Sequence, residues 1–197
     1  VALLTAAGRR AWQQLDDRSE HLAQRLVAPL SPRQRHRLTE ALATADLLVR
    51  AATIQVREVP PTDPVALSAA ARYFAELDRR FPGGFDPGEP DHAGTFLVAT
   101  SDGQPVAYGG VLDLPDHPGQ GEIKRMWVAE DWRGAGLGSR MLRELEALAQ
   151  RRGHRRVVLD TNRTLTEAIA MYEHAGYRPI ERYNDNPYAE AWFAKDL

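Results

Sequence analysis

The sequence predicts an α/β domain of the α+β type, preceded by a pair of helices. From about residue 52 onward, short apolar strand patterns alternate with amphipathic helical patterns in the order β-α-β-β-β-α-β-α-β-β. Before residue 52, long helical patterns follow one another without a strand between them. We therefore divide the chain into residues 1–52, a helical segment, and residues 53–197, a mixed α/β domain.

The composition is that of an ordinary globular protein. Of its 197 residues, 43% are apolar and 26% are charged, with a net charge of −2. Residues 1–50 hold eight arginines and five acidic residues, whereas the remainder is acidic, which fits either separate modules or ordinary solvated helix faces. The lack of cysteine excludes disulfides and a covalent thiol mechanism. Because no apolar run suits a membrane span and no signal peptide is recognisable, we expect a cytoplasmic protein.

The N-terminal segment predicts a helical pair with uncovered apolar faces. Thr5 suits the N-cap of a helix to about Leu30, and Ser31-Pro32 suits the start of a second helix to about Ala51. The apolar residues at helical spacing are Trp12, Leu15, Leu22, Leu26 and Val27, then Leu38, Leu42, Ala45, Leu47 and Leu48. These helices cannot bury such faces against each other alone, so we expect another chain or domain to cover them.

The stretch LTAAGRRAWQQLDDRSEHLAQRLVAPLSPRQRHRLTEAL resembles the C-terminal end of a MarR-family transcriptional regulator. Leu4–Gly8 matches the end of the wing, and the following helices match those of the family's dimer interface. The resemblance covers about residues 1–52 and implies a homodimer through them. The recognition helix and most of the wing are not in this chain, so any DNA contact would lie in residues outside it. An unrelated helical hairpin is the alternative.

The elements of the α/β domain carry local signals. Asp63-Pro64 starts a helix to about Arg80, an Asp-Gly turn at 102–103 joins a hairpin, and Gly153 ends the longest helix of the domain. Strands are predicted at 54–59, 95–100, 105–114, 122–128, 157–160, 177–182 and 190–194, and further helices at 138–152 and 167–175.

A glycine-rich turn separates the strand Glu122–Val128 from the next helix. Gly134, Gly136 and Gly138 expose N–H groups where a helix begins, which favours a phosphate site. A dinucleotide motif would need glycine at Ser139 and a turn directly after the strand, whereas residues 129–133 intervene. A P-loop is excluded because the turn lacks Gly-Lys-Ser/Thr.

The turn Arg133–Gly138 matches R-x-x-G-x-G, and residues 52–197 resemble the GNAT superfamily of acyl-CoA N-acyltransferases. EIKRMWV resembles that fold's fourth strand, VVLDTN its fifth, and EAIAMYEHAGYRPI its last helix and sixth strand. The resemblance implies a mixed central sheet with splayed parallel strands. It also implies acetyl-CoA as donor and an amine as acceptor.

The resemblance assigns coenzyme-binding residues around this turn. The amides of Gly134, Ala135, Gly136, Leu137, Gly138 and Ser139 would bind the pyrophosphate, with added charge from Arg133. The backbone of Met126, Trp127 and Val128 would pair with the pantetheine arm, with the Val128 N–H directed at the thioester oxygen. Asn162 is assigned to a pantetheine amide, although the family's usual asparagine position is Leu165 here.

Without cysteine, the acyl group would pass by direct attack of the amine. The resemblance makes Tyr172 a general acid at the sulfur, or else a packing residue with a locally bonded hydroxyl. It makes Glu122 a base, or else a solvent-facing glutamate paired with Lys124. Strict alternation would place Glu122, Lys124, Met126 and Val128 on one face.

The resemblance implies that the acceptor binds in a cleft walled by residues 80–90 and 183–188. Candidate side chains for a cationic amine are Glu76, Asp78, Asp86, Asp185, Phe85, Tyr183 and Tyr188. The histidines at 92, 117, 154 and 174 show no metal-ligand spacing, so we predict no metal site and treat them as solvated. A regulator whose GNAT-like domain senses acyl-CoA without catalysis is the alternative function.

Overall fold

The computed structural model describes residues 5–88 and 93–197, in two compact units. One unit ends at Asp46 and the other runs from Leu47 to Leu197. The boundary falls within a helix, earlier than the predicted boundary at residue 52. The end of that helix belongs to the second unit because Ala51 is buried in its core and accepts a hydrogen bond from Arg140 Nη1 at 3.1 Å.

Helix α1 spans Ala6–Val27 and helix α2 spans Pro32–Thr53. The Thr5 hydroxyl caps α1 by accepting from the Gly8 N–H at 3.1 Å, as predicted, whereas Leu4 lies outside the described residues. No residue of α1 is buried. Its large apolar side chains are more than half exposed, namely Trp12 at 58%, Leu15 at 66%, Leu22 at 57% and Leu26 at 68%.

The second unit is built on a mixed sheet with the strand order β1-β2-β3-β4-β5-β7-β6. The strands are β1 Val56–Val59, β2 Thr95–Ser101, β3 Gln104–Asp113, β4 Gln120–Val128, β5 Arg156–Thr161, β6 Arg178–Pro179 and β7 Ala191–Asp196. The helices are α3 Pro64–Arg80, α4 Leu137–Arg151 and α5 Thr166–His174. The element order and the mixed sheet confirm the predicted fold. The strand predicted at 177–182 is reduced to Arg178–Pro179, although the Ile180 N–H still donates to Trp192 O at 2.9 Å.

Helix α4 packs its apolar side chains onto the centre of the sheet. Met141, Leu142 and Leu145 are buried beside Leu148 and Ala149. Gly109 on β3 permits this approach, since a Cβ there would lie 2.8 Å from Leu145 Cδ1. The core therefore fixes α4, and with it the glycine turn from which α4 starts.

Strands β4 and β5 are the parallel pair, and they separate early. Their register runs only from Gln120↔Arg156 to Glu122↔Val158, so β4 beyond Glu122 is not paired with β5. A bulge lies in the same segment, where Arg125 has a φ of 54° and the register with β3 shifts beside Gly109. The predicted alternation of Glu122, Lys124, Met126 and Val128 on one face is therefore wrong beyond Lys124.

His154 is also placed differently from the prediction. It is 9% exposed rather than solvated, and its Nε2 lies 2.9 Å from Asp113 Oδ1. Gly121 makes room for its ring, because a Cβ there would lie 2.8 Å from His154 Cδ2. His92 lies outside the described residues.

Candidate active site

A cavity of about 800 Å³ lies beside the glycine turn, between α3, the end of β4 and α5. We call it the glycine-turn cavity. Among the residues lining it are Trp127, Val128, Arg133, Gly134, Gly136, Gly138 and Ser139. Ala135 and Leu137, by contrast, point into the core.

The glycine turn forms an open cradle of backbone donors. Gly134 and Gly136 both have a φ of 78°, which side-chain-bearing residues rarely adopt, and a Cβ on either would meet empty space. Gly136 caps α4 without a side-chain bond. Within the described part of the chain, none of the N–H groups from Gly134 to Ser139 has a hydrogen-bond acceptor. The turn therefore fits an anionic phosphate.

Arg133 lines this cavity, but its charge is paired. Its Nη2 lies 2.6 and 2.7 Å from the two carboxylate oxygens of Glu76, and its Nε donates to Val128 O at 3.0 Å. Glu76 also accepts from Trp127 Nε1 at 2.9 Å. Burial opposes ionisation of Glu76, yet the bonds from Arg133 and Trp127 outweigh it and lower its pKa. Glu76 thus holds Arg133 in place and does not face the predicted acceptor cleft.

A second cavity, of about 520 Å³, lies between the loops that follow α3 and β6. We call it the aromatic cavity, because rings of Phe74, Phe81, Phe85 and Tyr188 line it. Phe85 and Tyr188 have centroids 4.7 Å apart, and the Asp86 N–H donates to the Tyr188 hydroxyl at 2.8 Å. The two predicted acceptor loops therefore meet, although residues 89 and 90 of the first lie outside the described residues.

The two cavities meet at a common wall. The residues that line both are Tyr73, Leu77, Met126, Leu165, Ala168 and Tyr172. Tyr172 is 6% exposed, and burial together with the charge of Asp160 raises its pKa. Its hydroxyl makes no hydrogen bond to any described residue. Tyr172 is therefore protonated at neutral pH, with an O–H group that an occupant of the cavities can use.

Glu122 is buried, not solvent-facing. It is 6% exposed, and its Oε1 accepts from the Tyr183 hydroxyl at 2.9 Å and from Asn184 Nδ2 at 3.2 Å. Lys124 Nζ lies 3.4 Å from the same oxygen. Burial raises the pKa of Glu122 in spite of these partners. Glu122 lines neither cavity; of its two hydrogen-bond donors, Asn184 lines the aromatic cavity and Tyr183 lines neither.

Asp160 and Asn184 were missed by the sequence reasoning. Asp160 lines the aromatic cavity at the end of β5 and accepts from the side-chain amides of Asn184 and Asn186. The Asn184 amide donates to both Asp160 and Glu122, and thus bridges the two carboxylates. The available signal was the acidic residue Asp160 near the carboxyl end of the apolar strand β5, because ligands bind at that edge of open α/β sheets.

Asn162 lies in the wall of the aromatic cavity. Its Nδ2 donates to Tyr188 O at 2.9 Å, and its Oδ1 accepts from the Thr164 hydroxyl at 2.7 Å. These bonds favour a role in holding the loop at Tyr188. The predicted contact of Asn162 with pantetheine stays a prediction.

The family model described as "Acetyltransferase (GNAT) family" matches residues 58–177. The chain belongs to this family. An N-acetyltransferase of Schizosaccharomyces pombe that is described as uncharacterized is 36% identical over 99 residues, which are 50% of this chain and 60% of that protein. An IAA acetyltransferase of Azospirillum brasilense is 31% identical over 144 residues, 66% of this chain and 90% of that protein.

Solved structures agree with the GNAT fold. An acyl-CoA N-acyltransferase from Pseudomonas aeruginosa superposes with a TM-score of 0.58 at 22% identity, over 73% of this chain and 99% of that one. No helix in the described ranges is long and apolar enough to cross a membrane. Among the described residues, no group of three or more His, Asp or Glu is arranged to hold a metal ion.

Proposed function

We propose that the second unit is an acetyl-CoA-dependent N-acetyltransferase that acetylates a primary amine by direct attack. The observation that carries this proposal is the junction at Tyr172, where the glycine-turn cavity meets the aromatic cavity. A donor in one cavity and an acceptor in the other would bring their reacting atoms together there. Membership of the GNAT family and the absence of cysteine support the same reaction.

The glycine turn and the end of β4 hold the donor. The N–H groups from Gly134 to Ser139 bind the pyrophosphate of acetyl-CoA, which supplies the acyl thioester. Arg79 lines the glycine-turn cavity and has no carboxylate partner among the described residues, so its positive charge is available to the phosphates. The charge of Arg133, by contrast, is paired with Glu76. The backbone of Met126, Trp127 and Val128, no longer paired with β5, bonds the pantetheine arm as an added strand would. The Val128 N–H stabilises the charge that develops on the thioester oxygen.

Tyr172 and Glu122 divide the proton transfers. The attacking ammonium loses two protons on becoming an amide, and the departing thiolate takes up one. Tyr172, protonated at neutral pH, donates to the sulfur and is reprotonated by one of the two amine protons, while Glu122 accepts the other through a water molecule. One proton is released in all, which balances the reaction.

The N-terminal segment supports a regulatory role for the whole protein. We infer that residues 1–52 form a homodimer through the exposed apolar face of α1 and α2, as in a MarR-type regulator. DNA binding would then belong to residues outside this chain. A non-catalytic acyl-CoA sensor is the second candidate, since Arg133 is already paired and Glu122 is set back from the cavities.

Steady-state turnover of acetyl-CoA with a panel of primary amines separates the enzyme from the sensor. The enzyme predicts coenzyme A release that depends on the amine and falls by about a hundredfold in Tyr172→Phe. Tyr177→Phe is the matched control, because it removes the hydroxyl of a buried neighbouring tyrosine that lines neither cavity. Binding of acetyl-CoA without turnover on any amine would favour the sensor.

A further inference from the structure

The carboxylate of Asp160 differs from the other acids of the site in its partners. Glu122 lies near Lys124, and Glu76 is bonded by Arg133 and Arg80. Asp160 instead accepts only from the neutral amides of Asn184 and Asn186, with no cation within ion-pair distance among the described residues. Neutral donors hold a carboxylate in place without offsetting its charge.

This carboxylate lies in the wall of the aromatic cavity, which shares Tyr172 with the glycine-turn cavity. Asp160 lines the aromatic cavity together with Tyr172, and its charge helps to raise the pKa of Tyr73 and Tyr172. Tyr73 and Tyr172 both belong to the common wall. An ammonium bound at Asp160 would therefore lie next to the proposed acyl donor.

The aromatic residues of the cavity indicate the chemistry of the rest of the ligand. The rings of Phe74, Phe81, Phe85 and Tyr188 form a continuous cluster, with centroids 4.7 to 5.8 Å apart. Such a cluster favours apolar or aromatic groups, and ring faces also attract a cation. Two acids, Asp160 and Asp86, and two cations, Lys124 and Arg125, line the same cavity. Lys124 lies 3.4 Å from Glu122, and the Arg125 guanidinium lies 4.7 Å from the centre of the Phe74 ring.

We propose that Asp160 binds the ammonium group of the acceptor, and that the acceptor is a primary amine attached to an apolar, aromatic-sized body. This assignment rests on the proposed acetyltransferase function. Asp160 is then a specificity-determining residue for the acceptor. Asn184 and Asn186 are positioning residues, because they hold Asp160 through their amides.

The test compares the wild-type protein with Asp160→Asn, which keeps the size of the side chain and removes its charge. The probes are 2-phenylethylamine and glutamate as acceptors. We expect turnover of 2-phenylethylamine and little of glutamate, and a rise of about tenfold or more in the KM for 2-phenylethylamine in Asp160→Asn. The KM for acetyl-CoA should stay within about threefold of the wild-type value, because Asp160 does not line the glycine-turn cavity.

Asp185→Asn is the matched control. Asp185 was predicted as an acceptor residue and belongs to the same loop as Asn184, but it lines neither cavity, and its fully exposed side chain pairs with Arg182. An unchanged KM for 2-phenylethylamine in Asp160→Asn, with an active wild type, would overturn the assignment of Asp160. A preference of the wild type for glutamate would overturn the acceptor class.

Equilibrium titration with 2-phenylethylamine in the presence of coenzyme A separates this proposal from the proposed function. One outcome is a wild type that turns over no amine and still binds 2-phenylethylamine, with binding about tenfold weaker in Asp160→Asn. That result would refute the proposed acetyltransferase function and support the ammonium site at Asp160. If the wild type does not bind 2-phenylethylamine at all, the site is refuted.

Discussion

Arg133 of the glycine turn and Glu76 of α3 form an ion pair in which the Arg133 Nη2 reaches both carboxylate oxygens, at 2.6 and 2.7 Å. Glu76 is mostly buried, with 14% of its side chain exposed, and it also bonds Trp127. This pair ties α3 to the start of the phosphate cradle. Arg133 therefore shapes the glycine-turn cavity through its bond to Glu76.

Replacing Glu76 by glutamine should lower stability by about 1 kcal/mol at pH 7, because Arg133 loses a partner but is itself 41% exposed. The pKa of Glu76 is lowered in the folded state, so its contribution is present above the unfolded value of about 4.3. It is lost as the pH falls through the still lower folded pKa. Urea denaturation across this pH range measures the difference.

Glu173→Gln is the control for that measurement, since Glu173 is an exposed glutamate on α5 that forms no salt bridge with any described residue. It should leave the free energy of unfolding unchanged at every pH. A Glu76→Gln difference that grows as the pH falls would show that the ion pair does not carry the effect.

Gly136→Ala should weaken acetyl-CoA binding by about tenfold, since a left-handed φ of 78° costs an alanine about 1–2 kcal/mol and relaxation would move the cradle amides. Gly119→Ala is the matched control. Gly119 has a φ of 83° with open space around its Cα, but it lies away from both cavities. Both variants should lose similar stability, and only Gly136→Ala should lose affinity. Equal affinities of Gly136→Ala and Gly119→Ala for acetyl-CoA in isothermal titration would refute binding of the coenzyme by the glycine turn.

Glu122 should set the acidic limb of the pH–rate profile. Burial raises its pKa above the ordinary value of about 4.3, so the unprotonated base and the rate should both increase as the pH rises through that higher value. Glu122→Gln should lower kcat/KM by about a hundredfold and abolish the limb. The same limb persisting in the variant would assign the base to another group.

The exposed apolar face of α1 should hold two chains together. Leu15→Glu together with Leu22→Glu should convert a dimer to a monomer in light scattering, because each places a charge on that face. Leu67→Glu on α3 is the control, with 54% exposure against 66% for Leu15. A dimer that survives the double substitution would refute an interface through α1.

The parts of this structure that the sequence predicts are local. The order of strands and helices along the chain, the α4 face and the glycine turn follow from apolar periodicity and from glycines within a few positions of each other. The pairing of Arg133 with Glu76 joins residues 57 positions apart, and that of Asn184 with Glu122 joins residues 62 apart. No local pattern encodes such contacts, which is why Asp160 and Asn184 went unnoticed and Glu76 was assigned to the wrong cavity.

The bulge at Arg125 shows the same limit on a smaller scale. Alternation predicted a straight face from Glu122 to Val128, but β4 carries one more residue than β3 between the pairs Tyr108↔Trp127 and Gly110↔Lys124. The extra residue changes which side chains of β4 face each cavity. Sequence alone gives the strand, whereas the partner strand decides its geometry.

The first turnover of isotope-labelled acetyl-CoA with 2-phenylethylamine, followed by mass spectrometry, tests the central claim that acyl transfer occurs directly where the cavities meet. The account predicts label on the amine nitrogen, release of free coenzyme A, and no labelled protein at any time. The Tyr172→Phe variant should give the same product more slowly. Label that remains on the protein, or coenzyme binding with no labelled amine, would contradict it.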